Sequence, residues 1–206
     1  MTDGKKTLRH TILLLDYSRA IKEEDYRPNR QVSMLETVLK LIDKFEENNP
    51  LSLLSVYLLR DLRCTQMIDS SNSHEKKKEE IEKHLKNARS DDRFNFHSSL
   101  LIKKVTDFDP VGQISLYNGL QVARGIFEKT PMYYHREIVL VLSSTGTNDA
   151  KDIYELLEDL VNLKVKINII SMSGTNYLFK QVVKRTGGKL YLAGSKLEFE
   201  EQLFVS

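Results

Sequence analysis

The most informative part of the sequence is HTILLLDYSRAIKEEDYRPNR, residues 10–30. Its apolar run, Thr11–Leu15, lacks period-2 alternation, which is typical of a strand covered on both faces. The run ends on Asp16, and a polar, partly basic loop follows before the next helical pattern. Because an acid at the carboxyl end of a buried strand is a common metal ligand or catalytic group, Asp16 is the first candidate site residue.

Strand and helix patterns alternate along the rest of the chain. Five further strands are predicted at Leu53–Leu59, Cys64–Ile68, Ile138–Leu142, Lys166–Ile170 and Lys189–Leu192. The second of these is expected to pair back on the first as an antiparallel edge, since only a short turn separates them. Between strands, apolar residues recur at three- and four-residue spacing, as in amphipathic helices. This alternation predicts an α/β fold of three layers, with a mostly parallel central sheet, one antiparallel edge strand and helices on both faces.

Composition narrows the class of protein. The chain has 206 residues, which suits one domain, and a formal net charge of +2 from 31 basic and 29 acidic residues. That balance gives no electrostatic argument for a nucleic-acid or membrane partner. The single cysteine, Cys64, excludes an internal disulfide or a cysteine-built zinc site. With no apolar run of about 18 residues, a cytosolic or nuclear protein without a membrane segment is expected.

The segment 74–93, HEKKKEEIEKHLKNARSDDR, is unusually charged and offers only Ile81 and Leu85 for burial. Two interpretations stay open. It forms a solvated helix, supported by pairs four residues apart such as Glu79–Lys83 and Glu82–Lys86, or it is a mobile surface insertion without a function of its own.

Polar residues follow several of the strands, where ligands bind in open α/β sheets. The loops concerned are 16–20, 112–115, 143–146 and 171–173, which together supply hydroxyls and one carboxylate. Asp149 and Asp152 lie further along the third loop, and we expect them to serve as the N-cap and a first-turn acid of the following helix.

This arrangement resembles a von Willebrand factor A domain, a Rossmann-like fold that holds Mg²⁺ with a D-x-S-x-S stretch, a threonine and a later aspartate. At the corresponding positions this sequence has Asp16, Ser18, Ala20, Ser115 and Ser144. One carboxylate and one hydroxyl are thus missing from the set that Mg²⁺ requires. A charge term of even ~1–4 kcal/mol changes affinity ten- to thousand-fold, so a degenerate site with no metal or other cofactor is predicted. Asp16 is then expected to accept hydrogen bonds from Ser18 and neighbouring backbone amides.

A closer resemblance is carried by the segments EEDYRPNR, NPLSLLSVYL, ISLYNGL and REIVLVLSSTGTNDAKDIYELLEDL. They look like the von Willebrand A domain of the transcription factor IIH subunit that binds and stimulates the XPD-type helicase. The similarity runs through residues 8–204 except for 74–93, where the family is shorter. It implies a nuclear protein of nucleotide excision repair and transcription initiation. Its implied partners are that helicase and the other factor IIH subunits, with no direct specific nucleic-acid binding.

The resemblance also bears on domain organisation. It implies a single domain over residues 1–206 with a charged surface insertion at about 74–93. The family's full-length subunit continues into cysteine-rich zinc-binding modules, and this chain has one cysteine. We therefore expect an N-terminal domain, either a fragment or a short form, without the activities of those modules.

A non-catalytic protein–protein interaction module needs a docking surface. The loop after the strand Ile138–Leu142 is the first candidate, through Ser144, Thr145, Gly146, Thr147 and Asn148, although the same residues suit a simple strand-to-helix connection. Arg27 and Arg30 are also candidates, and for them the alternative is internal pairing with acids such as Glu23 and Glu24.

Three other classes of protein are alternatives to this interpretation. The von Willebrand A domain of the proteasome's ubiquitin-receptor subunit carries a related Pro-x-Arg turn, and a metal-dependent adhesion-type module would require a working Mg²⁺ site. An enzyme is disfavoured because the sequence lacks G-x-x-x-x-G-K-[ST] and lacks G-x-G-x-x-G after a strand. The TGGK of residues 186–189 follows a helical pattern instead of preceding one, so it cannot cradle a phosphate.

Overall fold

A computed structural model describes residues 8–48, 50–94 and 109–205 of the chain. Its strands are β1 (Arg9–Asp16), β2 (Leu53–Arg60), β3 (Arg63–Ile68), β4 (His135–Leu142), β5 (Lys166–Ser171) and β6 (Leu190–Leu192). Its helices are α1 (Arg30–Asn48), α2 (His74–Phe94), α3 (Leu116–Lys129), α4 (Ile153–Asn162), α5 (Tyr177–Thr186) and α6 (Lys196–Val205), with a short 3-10 helix at Arg19–Lys22.

The six strands form one sheet in the order β3-β2-β1-β4-β5-β6. Strands β2 and β3 are antiparallel, and the other four neighbouring pairs are parallel. Strand β1 lies between two partners, so that Leu13 is in register with Val56 on one side and Val139 on the other. The predicted strands, the antiparallel edge and the α/β fold class are all confirmed.

Two hydrophobic layers cover the sheet, one on each face. Leu13 and Leu15 of β1 pack on one side with α1, α2 and α6. Ile12 and Leu14 pack on the other side with α3, α4 and α5. A strand covered on both faces must be apolar at every position, which explains the unbroken run in β1. None of the helices in the described ranges is both long and apolar enough to span a bilayer.

Helix α2 agrees with the first of the two alternatives for residues 74–93, and a surface insertion at this segment stays a prediction. The segment is helical, as one of the two alternatives predicted, and Glu79 pairs with Lys83 at 3.4 Å. It is nevertheless part of the core, since Ile81, Leu85 and Ala88 are buried in the same cluster as α1. Three apolar residues spaced four and three apart form a narrow stripe that suffices to bury one face. The charges that flank this stripe obscure it in the sequence.

Glu36 on α1 joins this helix to two others. Its Oε1 accepts a hydrogen bond from Arg89 of α2 at 2.7 Å, and its Oε2 accepts one from Lys196 of α6 at 2.5 Å. Burial alone would raise the pKa of Glu36, but the hydrogen bonds from Lys196 and Arg89 outweigh it and hold the pKa below its ordinary value of 4.5. The carboxylate therefore stabilises the packing of three helices in its ionised form.

Replacing Glu36 with glutamine is expected to lower the free energy of unfolding by about 1 kcal/mol at pH 7. Because the folded-state pKa is depressed, this contribution is complete above about pH 4.5 and is lost as the pH falls through the folded-state value. Urea denaturation at pH 7 and pH 3 measures the difference. Glu79→Gln, which alters an exposed pair on α2, serves as the control with a smaller effect. An equal loss from Glu36→Gln at both pH values would contradict the ionic role.

Candidate functional site

The loops at the carboxyl edge of the parallel strands meet around an open cleft of about 550 Å³. It is lined by residues 18–20 after β1, residues 112–114 before α3, and Ser144, Gly146 and Thr147 after β4. These loops are close in space because parallel strands β1 and β4 are neighbours and end at the same edge of the sheet. Three of the four predicted polar loops thus line the cleft. The fourth, 171–173, does not line it, although the Ser173 hydroxyl donates to the Ser143 carbonyl.

Asp16 is the last residue of β1, at this edge of the sheet, and it is fully buried. Its Oδ1 accepts a hydrogen bond from the Ser18 amide at 2.9 Å. Its Oδ2 accepts three more at 2.9 Å, from the amides of Ser143 and Ser144 and from the Ser144 hydroxyl. The expectation that Asp16 accepts hydrogen bonds from Ser18 and nearby backbone amides is confirmed. The carboxylate joins the end of β1 to the end of β4.

The residues at the edge do not fit the Mg²⁺ that the von Willebrand A fold implies. Ala20 offers no side-chain oxygen, and the Ser144 hydroxyl is directed to Asp16. The Ser115 hydroxyl donates to Asp149 at 2.7 Å. Of the three serine hydroxyls at the expected ligand positions, that of the buried Ser18 is the one without a hydrogen-bond partner among the described residues. One carboxylate with four donors already in place and one remaining hydroxyl fall short of the near-octahedral oxygen set that Mg²⁺ demands.

Asp149 has a different role from the one predicted. The N-cap of α4 is Asp152, whose side chain accepts from the Tyr154 amide at 2.8 Å, so the assignment of Asp149 to that cap is wrong. Asp149 instead caps the start of α3, accepting from the Ser115 hydroxyl at 2.7 Å and from the Tyr117 amide at 2.8 Å. A carboxylate at a helix N-terminus meets unpaired amides and the positive end of the helix dipole. The cap spans 32–34 residues of sequence, which local spacing rules do not capture.

The loop 144–148 is largely exposed and is anchored by hydrogen bonds. The Thr145 carbonyl accepts from the Asn176 side chain at 2.7 Å, and the Thr147 hydroxyl accepts from the Leu116 amide at 3.0 Å. The Asn148 amide donates to the Ile114 carbonyl at 2.9 Å. Thr145, Gly146 and Asn148 remain exposed to solvent despite these anchors. Asn176 is an anchor that was not predicted from the sequence, although its place before α5 marks it as an N-cap, a role that it also fills.

Arg30 is buried and internally paired. Its Nε and Nη2 bind both carboxylate oxygens of Asp25 at 2.7 and 2.5 Å, and Nη2 also lies 2.9 Å from Glu23 Oε2. Its Nη1 donates to the Ser143 carbonyl at 2.7 Å and to the Ser173 hydroxyl at 2.9 Å. Of the two alternatives, internal pairing is therefore present at Arg30, with Glu23 and Asp25 in place of Glu24. The guanidinium holds the loop after β1 against the ends of β4 and β5.

Arg27 lies in the same loop, and its side chain is exposed. Its carbonyl accepts a hydrogen bond from the Ser33 hydroxyl at 3.3 Å, which ties the loop to the first turn of α1. The two arginines of the RPNR run thus differ in environment, one in solvent and one in the interior. A role for Arg27 in docking stays a prediction.

Solved structures with the same arrangement of strands and helices define the class of protein. The TFIIH p34 N-terminal domain superposes with a TM-score of 0.71 at 9% identity, covering 97% of both chains. The SpRpn10 VWA domain superposes with a TM-score of 0.67 at 17% identity, covering 97% of this chain and 95% of that one. At these identities the likeness establishes the fold alone, which is that of a von Willebrand A domain.

Sequence comparison specifies the family within this class. The Ssl1-like family model matches residues 14–100 and 92–206, and the chain belongs to that family. General transcription factor IIH subunit 2 of Arabidopsis thaliana is 25% identical over 199 residues, covering 97% of this chain. The factor IIH subunit 2 of Caenorhabditis elegans is 23% identical over 186 residues, covering 90% of it. The chain spans 42% and 44% of the length of these two relatives.

Proposed function

We propose that the chain is a non-catalytic protein–protein interaction domain of a core subunit of factor IIH, acting in the nucleus. Membership of the Ssl1-like family and the names of the relatives support this assignment. One relative, from Schizosaccharomyces pombe, is a general transcription and DNA repair factor IIH subunit, 24% identical over 182 residues. The partners in this proposal are the XPD-type helicase, which the domain binds and stimulates, and the other factor IIH subunits.

The observation that carries the proposal is the exposed, anchored loop at residues 144–148. Backbone and side-chain hydrogen bonds hold it to two other segments, through Ile114 and Leu116 at the start of α3 and through Asn176 before α5. A loop that is already ordered loses little conformational entropy when a partner binds, so more of the contact energy appears as affinity. Loops on a rigid sheet are therefore favourable docking surfaces.

The chemistry of the cleft supports a non-catalytic role. The described residues that line it are serine, arginine, alanine, glycine, glutamine, isoleucine and threonine, which offer no general base. The nearby carboxylates have other tasks: Asp16 accepts four hydrogen bonds and Asp149 caps α3. A carboxylate that must keep its donors for the fold is a poor candidate to take up and release a proton.

A matched pair of glycine substitutions tests the docking surface. A Cβ at Gly146 would meet nothing within 4 Å, and the same holds at Gly125 on α3, outside the cleft. Both sites therefore have room for the Cβ of a substituted residue. We expect Gly146→Lys to weaken binding to the purified XPD-type helicase about tenfold, and Gly125→Lys to leave it unchanged. The measurements are binding by interferometry and ATP turnover of the helicase with increasing amounts of the domain.

The possible results distinguish two claims: that the chain binds and stimulates the helicase, and that the loop 144–148 is the docking surface. If the unaltered chain neither binds nor stimulates the helicase, the helicase role is contradicted for this chain. If it does both and Gly146→Lys behaves like Gly125→Lys, the loop is not the docking surface. Arg27→Glu, a change at an exposed side chain, then reports whether the loop after β1 makes the contact instead.

A further inference from the structure

A second exposed loop lies at the opposite, amino edge of the sheet. Residues 130–134 connect α3 to β4 and present two large apolar side chains to solvent, with Met132 85% exposed and Tyr133 68% exposed. Single exposed apolar residues are ordinary on protein surfaces. Two adjacent ones at the rim of a groove form a patch of the kind found at interaction sites.

The loop is held in place from several sides. The Arg136 Nη2 donates to the Thr130 carbonyl at 2.6 Å, and the Tyr134 amide donates to the Pro131 carbonyl at 3.1 Å. The Thr130 hydroxyl donates to the Ile126 carbonyl at 3.0 Å. The Tyr134 ring packs at 5.0 Å from the Tyr133 ring, measured between centroids. The apolar side chains are therefore presented by an ordered turn, as a docking surface requires.

The groove beside this loop is basic. Lys129, His135, Arg136 and Lys164 line it, and the one acid in its lining, Glu128, is already paired with Arg124 at 3.0 Å. Arg136 is 8% exposed and donates to the carbonyls of Thr130 and Leu163, with no carboxylate partner among the described residues. Burial and the positive charge of Arg136 lower the pKa of His10, so at pH 7 the imidazole is mainly neutral and adds no second positive charge beside Arg136.

We propose that this groove docks an acidic peptide segment of another protein, with an apolar side chain of that segment packed against Met132 and Tyr133. Carboxylates would lie beside Lys129 and Lys164, whose ammonium groups have no ion-pair partner within the described ranges. The inference does not depend on the proposed function, because it concerns the edge of the sheet opposite to the loop 144–148. A domain with docking surfaces at both edges can hold two neighbours of one assembly at once.

Two other occupants fit less well. A second copy of the chain related by two-fold symmetry would place one basic groove against another, which like charges disfavour. Nucleic acid binds chiefly through many phosphate contacts, and a groove with four basic side chains on a chain of net charge +2 supplies few of them. A short acidic segment with an apolar anchor matches both features of the groove.

The test uses two fluorescein-labelled peptides of equal length. One alternates glutamate and aspartate around a central Phe-Leu pair, and the other has lysine at every acidic position. By fluorescence anisotropy we expect the acidic peptide to bind about tenfold or more tightly than the lysine peptide, with affinity falling as salt rises. We expect Lys129→Glu combined with Lys164→Glu to weaken its binding about tenfold, and Met132→Ser combined with Tyr133→Ser about fivefold.

The control combines Lys180→Glu with Lys184→Glu on α5, which makes the same change in net charge at exposed positions elsewhere. Its affinity for the acidic peptide should stay within about twofold of the unaltered chain. Equal affinity for the two peptides, or equal weakening by the two charge-reversed variants, overturns the proposal. So does tighter binding of a single-stranded oligonucleotide of the same charge, or self-association in sedimentation that Met132→Ser and Tyr133→Ser abolish.

Discussion

Replacing Asp16 with alanine is expected to lower the free energy of unfolding by about 4 kcal/mol. The carboxylate is fully buried and accepts from the amides of Ser18, Ser143 and Ser144 and from the Ser144 hydroxyl. Alanine would leave these four donors without an acceptor in a region that water cannot readily enter. Chemical denaturation followed by circular dichroism measures the change.

Two further variants and the addition of Mg²⁺ test the hydrogen-bonding role of Asp16. Asp16→Asn keeps one oxygen but turns an amide towards a donor, so we expect a loss of about half that of alanine. Ser18→Ala removes a buried hydroxyl that lacks a partner among the described residues, and should be nearly neutral. If Asp16→Ala is as stable as the unaltered chain, the hydrogen-bond account is wrong. If millimolar Mg²⁺ raises the melting temperature of the unaltered chain and not of Asp16→Ala, the carboxylate is a metal ligand.

The fold could be predicted from the sequence because a strand buried on both faces is an unbroken run of apolar residues. The run Thr11–Leu15 predicted a central strand, and β1 has a partner on each side. The short interval between Leu59 and Cys64 predicted the antiparallel edge that β2 and β3 form. These features depend on residues that are near each other along the chain, which is why periodicity and turn length reveal them.

The hydrogen bonds at the site could not be predicted from the spacing of residues in the sequence. Asp149 reaches Ser115, 34 residues earlier, and Arg30 reaches Ser143, 113 residues later. Such pairs depend on how loops from distant strands meet, and the spacing of residues along the chain carries no information on this. Helix α2 shows the related difficulty that a narrow apolar stripe is obscured by the charges around it. Residue type alone predicts that a side chain can form a hydrogen bond or an ion pair. It does not identify the partner when that residue is distant in the sequence.

The edge of the sheet remains ordered through hydrogen bonds made by three charged residues. Asp16 joins β1 to the loop after β4, Asp149 joins that loop to the start of α3, and Arg30 joins the loop after β1 to β4 and β5. In a metal-binding member of this fold, a bound cation can connect the same loops. In this chain the side chains of Asp16, Asp149 and Arg30 make the connection between these loops.

Replacing Gly188 with alanine is expected to lower the free energy of unfolding by about 3 kcal/mol or more, because the added Cβ would clash with the backbone of β5. A Cβ at this position would lie 1.7 Å from the Ile167 carbonyl oxygen and 2.5 Å from its carbon. The Ile167 backbone belongs to β5 and is in register with Ile138 of β4, so it cannot retreat without disturbing the sheet. The Gly188 amide also donates to the Val183 carbonyl at 2.9 Å, which fixes its position after α5.

The neighbouring Gly187 provides the control, because alanine there has the cost of a left-handed backbone conformation without a steric clash. Its φ is +68° and a Cβ there would meet nothing within 4 Å, so Gly187→Ala should cost only about 1 kcal/mol, the usual penalty for alanine in the left-handed region. Thermal and urea denaturation of both variants, with hydrogen exchange of β6 amides, measures the contrast. A loss from Gly188→Ala no larger than that from Gly187→Ala would show that β5 can yield. The larger loss would show that TGGK needs its second glycine for close backbone packing.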